Sequence, residues 1–325
     1  MKLLKKITVL VCMMLLLVPT LSATAEQKPL KIAIFQLVSH PSLDEITKGI
    51  KEGFAQNGYE EGKNLTIDFQ NAQGDMTLLN TIAEQMIAKQ PDVIFAITTP
   101  VAQTLQQKTT EIPIILAGIT DPVGAKLVDS LEKPNANITG VSDAAPLEAQ
   151  FELMLQLTPN VKTIGMLYSS SEDNSKSEIE KAQKIAESKG LTVVVETVAS
   201  SSELPLIAEN LASKVDAIFV PTDNLIASNF DILLNATDKV RIPVYPTVDA
   251  MVKQGGLASV GINQASIGSQ STEMALAVLN GTDIQTMPVQ FAEKTVKVIN
   301  SDTVKALNLQ VDAKLLETLT DVKGE

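Results

Sequence analysis

Asp92-Val-Ile-Phe-Ala-Ile-Thr-Thr-Pro100 is a short apolar run closed at both ends by polar residues, the pattern of a parallel strand buried on both faces. It stops where Thr99 can cap a helix and Pro100 suits the first helical turn. A weaker copy, Asp216-Ala-Ile-Phe-Val-Pro-Thr-Asp-Asn224, keeps Asp, Ile, Phe and Thr at the same four offsets. A repeated strand that ends in polar residues at a helix start predicts two similar lobes facing each other, with a ligand between them.

Outward from these runs, strands and helices alternate. Lys31-Ile-Ala-Ile-Phe-Gln36 reads as the first strand, followed by an amphipathic helix over 43–57 in which Ser42 and Glu45 are spaced as a capping box. A strand at 65–69, a helix over 76–89, the strand after Asp92, a helix over 101–108 and a strand at 112–117 follow. Asp121 and Pro122 then read as a helix start, and 138–141 as a further strand. The order restarts with a helix over 147–157 and the strand Lys162-Thr-Ile-Gly-Met-Leu-Tyr168, with Ser175 and Glu178 as a second candidate capping box. Helices over 204–213 and 225–236 and strands at 191–198, 217–221, 242–245 and 257–261 complete the second half. Paired landmarks are separated by 131, 124 and 130 residues (Lys31/Lys162, Asp92/Asp216, Ile112/Ile242). The prediction is α/β, two doubly wound parallel-sheet lobes joined by a multi-strand hinge. The first lobe is expected over residues 26–143 plus about 264–290, and the second over 144–263 plus about 291–325. The tail is too short for a third domain and must return to both lobes. Repeated crossings make a hinge suited to closing on a ligand.

Composition narrows the function. Residues 1–25 carry Lys2, Lys5 and Lys6, an apolar run over 7–18, Pro19 and the small-residue site Ala23-Thr-Ala25. That is a secretory signal peptide cut after Ala25, with an apolar run shorter than the roughly 20 residues of a membrane span. Cys12 follows Val11 rather than a small residue, so a lipid anchor is not expected. Removing three of 26 basic residues and none of the 38 acidic ones leaves 23 against 38, a mature charge of −15. Such an acidic exported chain does not seek nucleic acid or anionic lipid. The mature chain has no cysteine, one histidine (His40), one arginine (Arg241) and no tryptophan. It shows no phosphate loop, dinucleotide fingerprint, nucleophile elbow or zinc-binding His pair, so no cofactor or metal is expected. Arg241 precedes a strand, whereas ligands of open α/β sheets bind beyond the carboxyl ends of strands. Anion binding should therefore use amides, hydroxyls and helix starts.

The candidate site residues lie at those carboxyl ends. Thr98, Thr99 and Thr120 close two strands of the first lobe, serving either as caps alone or as a carboxylate receptor of hydroxyls and amides. Asp223 and Asp249 hold the corresponding ends in the second lobe, with Thr222 beside the former. One of the two acids can cap the next helix and the other receive a ligand ammonium, an arrangement suited to a zwitterion. Gln36 and Ser39 sit on the first strand-to-helix turn with His40, read as a capping or wall residue. The matching second-lobe turn supplies Ser171, Glu172 and Asn174, either a solvated loop or a ligand contact. Phe35, Phe95, Tyr168 and Phe219 read as strand core rather than as a stacking cage.

Several islands in order carry a resemblance across nearly the whole mature chain. They are His40-Pro-Ser-Leu-Asp44, Gly58-Tyr-Glu-Glu-Gly-Lys-Asn64, Asn71-Ala-Gln-Gly-Asp75 and Thr98-Thr-Pro-Val-Ala102, then Ile119-Thr-Asp-Pro-Val123, Ile138-Thr-Gly-Val-Ser-Asp143, Ser171-Glu-Asp-Asn-Ser175 and Pro221-Thr-Asp-Asn224. With these the chain resembles the solute-binding proteins of ABC importers with the type I periplasmic-binding fold, in particular the tryptophan/tyrosine-type family. The resemblance implies a non-enzymatic receptor, working as a monomer, that takes up an aromatic amino acid in the periplasm or otherwise outside the membrane and delivers it to a permease. It also implies carboxylate contacts at Thr98, Thr99 and Thr120 and ammonium contact at Asp223 or Asp249. Tyr245-Pro-Thr-Val-Asp249 departs from the small, acidic run expected there, which leaves the side-chain pocket open. The alternatives are a sensory module that presents its ligand to a membrane receptor, and an exported hydrolase built on paired carboxylates such as Asp223 and Asp249.

Overall fold

The structure, a computed structural model, describes residues 28–293 and 295–323. The signal peptide read over 1–25 lies outside the described residues. The first half runs β1 (Leu30–Gln36), α1 (Pro41–Gln56), β2 (Leu65–Asn71), α2 (Leu79–Ala88), β3 (Val93–Ile97), α3 (Thr99–Lys108), β4 (Ile114–Ala117) and β5 (Ile138–Ser142). The second runs α4 (Leu147–Leu157), β6 (Thr163–Ser169), α5 (Asp173–Ser188), β7 (Thr192–Val198), α6 (Leu204–Ala212), β8 (Ala217–Val220), α7 (Asn224–Ser228), α8 (Phe230–Val240), β9 (Val244–Pro246), α9 (Asp249–Lys253) and β10 (Ala258–Ile262). The chain closes with α10 (Gln264–Leu279), β11 (Gln290–Phe291), β12 (Thr295–Ile299), α11 (Ser301–Ala306), α12 (Ala313–Leu316) and β13 (Thr320–Asp321).

The first sheet has the order β2-β1-β3-β4-β5-β11 and the second β7-β6-β8-β9. Leu257 N–H donates to the Val244 carbonyl at 2.7 Å and carries the second sheet on to β10, which pairs with β12. The two lobes thus repeat one strand order. In β3, Val93, Phe95 and Ile97 pack into one core and Ile94 and Ala96 into another. In β8, Ala217 and Phe219 face one core and Ile218 and Val220 the other. Burial on both faces is what forces these runs to be apolar throughout. The repeated aspartate has a repeated task. Asp92 Oδ2 accepts from Lys31 N–H at 2.8 Å, and Asp216 Oδ2 accepts from Lys162 and Thr163 N–H at 2.9 and 2.8 Å. Each ties the head of one central strand to that of its neighbour. Phe35, Phe95 and Phe219 are fully buried core residues, and Tyr168 packs against the second lobe's core.

The tail serves both lobes. α10 returns to the first lobe and crosses α1 at backbone contact: a Cβ on Gly49 would stand 2.2 Å from the Ala265 carbonyl oxygen, and one on Gly268 2.2 Å from that of Ile46. Thr272 Oγ1 donates to the Ile50 carbonyl at 3.1 Å in the same crossing. β11 pairs with β5 of the first sheet, whereas β12 pairs with β10 of the second. The chain therefore passes between lobes after β5, after β10 and after β11. Among the described residues no helix is long and apolar enough to cross a membrane.

Four local readings change. No helix follows Pro122: Asp121 Oδ1 accepts from Gly124 N–H at 2.9 Å and Lys126 takes φ 59°, so the turn closes on itself. The helix expected over 225–236 breaks at Asn229, whose side chain donates to the Leu225 carbonyl at 2.8 Å. The capping box at Ser42 does not form, because α1 starts at Pro41 with His40 at its N-cap and no side-chain cap bond. α3 likewise has Thr98, not Thr99, at its N-cap. The α1–α10 crossing yields a direct test. Gly268→Val should lower stability in urea by about 3 kcal/mol, since neither backbone can yield without separating the helices; an unchanged midpoint would mean the crossing opens freely.

Candidate functional site

Strands of both sheets end at the seam between the lobes, and the polar residues after them meet there. His40, at the start of α1, has Nε2 3.2 Å from Asn224 Oδ1 at the start of α7. Asp121, in the turn after β4, accepts from Ser177 Oγ at 2.6 Å and Lys181 Nζ at 2.8 Å, both on α5. Gln103 of α3 donates to Asp173 at 3.1 Å. These contacts join opposite lobes, so the cleft stands closed. Burial alone would raise the Asp121 carboxyl, but its bonds to Lys181, Ser177 and Gly124 and the Lys181 charge bring it below the ordinary value.

At the centre lies a small cavity with two kinds of wall. His40, Asp143, Thr222 and Asp223 contribute polar groups, and Leu43, Ala227, Val248 and Met251 apolar ones. Burial lowers the His40 pKa despite its bond to Asn224 and the nearby Asp44 charge. The ring is then neutral, and because Asn224 Nδ2 already donates to Glu172, the network assigns the proton to His40 Nε2.

The residues expected at the site fall into distinct places. Thr98 is buried with φ 89°, a conformation strained for any residue but glycine. Its Oγ1 is buried without a hydrogen-bond partner, and it heads α3 beside buried Thr99. Thr120 Oγ1 donates to Asp143 Oδ1 at 2.9 Å, so that hydroxyl has only lone pairs left to offer. Thr222 is a hub: its N–H donates to Glu178 Oε2 at 3.2 Å, and its carbonyl accepts from Asn174 Nδ2 at 2.8 Å and Ser175 Oγ at 2.9 Å. Asp223 caps α7 by accepting from Ile226 N–H at 2.9 Å and also accepts from Ser169 N–H at 2.6 Å. Glu172 accepts from the N–H groups of Asn224 and Leu225, with three of its bonds running to Asn224. Gln36 and Ser39 both turn to Asp44, and Gln36 also accepts from Thr47 Oγ1 at 2.6 Å. Ser171 and Glu172 line one groove between the lobes, and Asp249 lines another, 3.9 Å from Lys253.

The acids are the electrostatic peculiarity of the seam. Burial raises Asp143 to about 6, against its bond from Thr120. Burial, with a contribution from the Asp143 charge, raises Glu178 to about 7 against the Thr222 N–H bond. Glu172 is raised to about 8 by burial and by Asp223, and burial also raises Asp223 and Asp249. Two of these residues escaped the sequence reading. Asp143 lay in a matched island without a role. Glu178 and Ser175 have the spacing of a capping box, but α5 begins at Asp173 and both side chains turn instead to Thr222. The signal for Glu178 was its place on the buried face of an amphipathic helix, where an acid needs a partner.

Two parallel-sheet lobes with a closed, polar cleft between their strand ends define a two-lobed binding protein of the type I periplasmic fold. Residues 31–323 match the ABC transporter substrate binding protein family, and the chain belongs to it. The tyrosine-binding protein of Clostridioides difficile (strain R20291) is 40% identical over 287 residues, covering 88% of this chain and 83% of that one. The structure of an ABC domain in complex with L-Trp from Streptococcus pneumonia is 44% identical with a TM-score of 0.88, covering 90% of this chain and 99% of that one. A ligand-free, open substrate binding protein with adhesive properties from Clostridium difficile is 38% identical with a TM-score of 0.71, covering 91% and 100%. The better superposition on the ligand-bound relative agrees with the closed seam of this chain.

The raised Glu178 carboxyl predicts a pH dependence. Between its ordinary 4.5 and about 7 the folded state holds a proton that the unfolded state has released. Stability from this group therefore falls as pH rises through that window. Ligand-free Glu178→Gln should gain on the wild type in melting temperature between pH 4.5 and 8, with Asp143 and Lys181 facing the site unchanged. A gap that stays constant with pH would reject it.

Proposed function

We propose that this protein is the extracytoplasmic receptor of an ABC importer, that it closes over one aromatic amino acid, and that it hands it to a permease. The observation that carries the reading is the lining of the closed seam, where Leu43, Val248 and Met251 join His40, Asp143 and Thr222 around a cavity of about 20 Å³ that must widen to admit an amino acid. An apolar side chain and a zwitterionic head match those two walls. The relatives support an aromatic ligand, since one is named for tyrosine binding and another holds L-Trp. The acidic mature chain and its leader support a monomeric receptor outside the membrane, released by cleavage after Ala25. Its aliphatic cavity walls would hold the ring by shape and dispersion rather than by stacking.

Within that reading the ligand carboxylate lies at the start of α3. Thr98 Oγ1 has no partner in the protein and the strained backbone holds it beside the helix's free N–H groups, a setting that favours an anion. Thr99 belongs to the same end. Thr120 is a weaker donor for a carboxylate because its proton is given to Asp143.

Calorimetry on refolded protein should find L-Tyr, L-Trp or L-Phe binding with about −8 kcal/mol or better, equivalent to about micromolar affinity. No heat from any amino acid at millimolar concentration would end the receptor reading. Thr98→Val should weaken binding about tenfold by removing a hydrogen bond to a charged group, without lowering the melting temperature of the ligand-free protein. Unchanged affinity would move the carboxylate elsewhere.

A further inference from the structure

Among the described residues of the seam, two buried acceptors, Asn174 Oδ1 and Glu178 Oε1, have no hydrogen-bond partner. Asp143, Asn174 and Glu178 are 7%, 4% and 3% exposed. Glu178 Oε2 takes the Thr222 N–H, but Oε1 is buried without a partner, as is Asn174 Oδ1. The Asn174 amide is oriented by its Nδ2 bond to the Thr222 carbonyl, which leaves the oxygen as the free end. Asp143 accepts from Thr120 Oγ1 and lines the central cavity together with Thr222, whose N–H donates to Glu178. Asp143 follows β5 of the first lobe and Glu178 belongs to α5 of the second, so in the closed seam one carboxylate from each lobe is buried beside Thr222. Such a pair needs a cation or a shared proton.

The basic side chains at the cleft hydrogen-bond or pair with other groups, although the Lys181 charge also reaches Glu178. Lys181, one turn beyond Glu178, is 56% exposed and bonded to Asp121; Lys253 stands by Asp249; His40 is neutral and bonded to Asn224. Among the described residues, no group of three or more His, Cys, Asp or Glu side chains is placed to hold a metal ion. The missing partner is a cation that also donates several hydrogen bonds, which describes a primary ammonium with its three N–H groups.

We propose that the ligand's ammonium is held across the seam by Asp143 and Glu178, with Asn174 Oδ1 as a third acceptor and the Thr120 hydroxyl orienting Asp143. The assignment rests on the amino-acid receptor reading and moves the ammonium away from Asp223 and Asp249. Asp223 is occupied by two backbone N–H groups, and Asp249 lies in a neighbouring groove beside Lys253. It also couples recognition to closure. Without an ammonium the closed pair must keep a proton, and an ammonium between the two carboxylates takes that proton's place and draws the lobes together.

The test compares L-tyrosine with its desamino analogue, 3-(4-hydroxyphenyl)propionate, on the wild-type mature protein and on Asp143→Asn and Glu178→Gln. The wild type should bind the analogue at least about 30-fold more weakly, since loss of the cation leaves buried charge unpaired. Each isosteric variant should lose about 30-fold or more for L-tyrosine while holding the analogue as well as or better than the wild type does. Equal wild-type affinity for the two ligands, or variants that weaken both equally, would overturn the assignment with the receptor reading intact. If L-Tyr, L-Trp and L-Phe all fail to bind the wild type, the aromatic reading falls by itself. A thermal-shift series of L-leucine, L-isoleucine, L-valine and their desamino acids then decides the ammonium site. A shift produced by an amine and abolished in Asp143→Asn sustains it, and the lack of a shift from every amine removes it.

Discussion

Two parallel sheets that meet end to end bury their carboxylates, and the cleft is organised around that cost. Asp143, Glu172, Glu178 and Asp223 are all 7% exposed or less, and burial raises every one of them. A buried carboxylate needs donors or a counter-charge. Glu172 and Asp223 find theirs inside the protein, at the N–H groups that open α7. Asp143 and Glu178 are only half provided for, by Thr120 and Thr222. The first pair holds the second lobe's strand ends in shape around Thr222, which lines the cavity with Asp143 and donates its N–H to Glu178.

Closure itself is held lightly. The ion pair between Asp121 and Lys181 has its lysine 56% exposed, and exposed pairs contribute about 0–1 kcal/mol. The other cross-seam bonds described, Ser177 to Asp121, His40 to Asn224 and Gln103 to Asp173, are few. By contrast, each lobe has its own two-sided apolar core, and the returning helix α10 crosses α1 at glycine contact. Strong lobes with a weak seam leave the open–closed balance to whatever binds between them, because a ligand shifts that balance by its differential affinity for the two states.

The lobes were legible because they depend on local pattern. Short apolar runs such as those after Asp92 and Asp216, closed by polar residues and Pro, have the length and flanks of strands covered on both faces, and the repeat of Asp, Ile, Phe and Thr announced the second lobe. Local pattern misled where a residue had a distant partner. Ser175 and Glu178 have the spacing of a capping box but bond to Thr222, more than forty positions on. Asp121 and Pro122 look like a helix start, yet the Asp121 side chain is taken by α5 of the other lobe. Thr120 read as a donor for a ligand, and Asp143 had already claimed its proton.

By itself the sequence determined the two-lobed α/β architecture, the parallel strands of each lobe's centre and the poverty of the cleft in arginine, histidine and cysteine, because hydrophobic periodicity and composition are properties of neighbouring residues; the antiparallel pairing of β12 with β10 was not so determined. Which acids are satisfied and which are not was decided only by the tertiary structure. A carboxylate's charge state and free valence depend on groups that folding brings near from other elements. Asp223 and Glu178 look equally available in the chain, and only the fold gives one its two N–H partners and leaves the other with an oxygen unpaired.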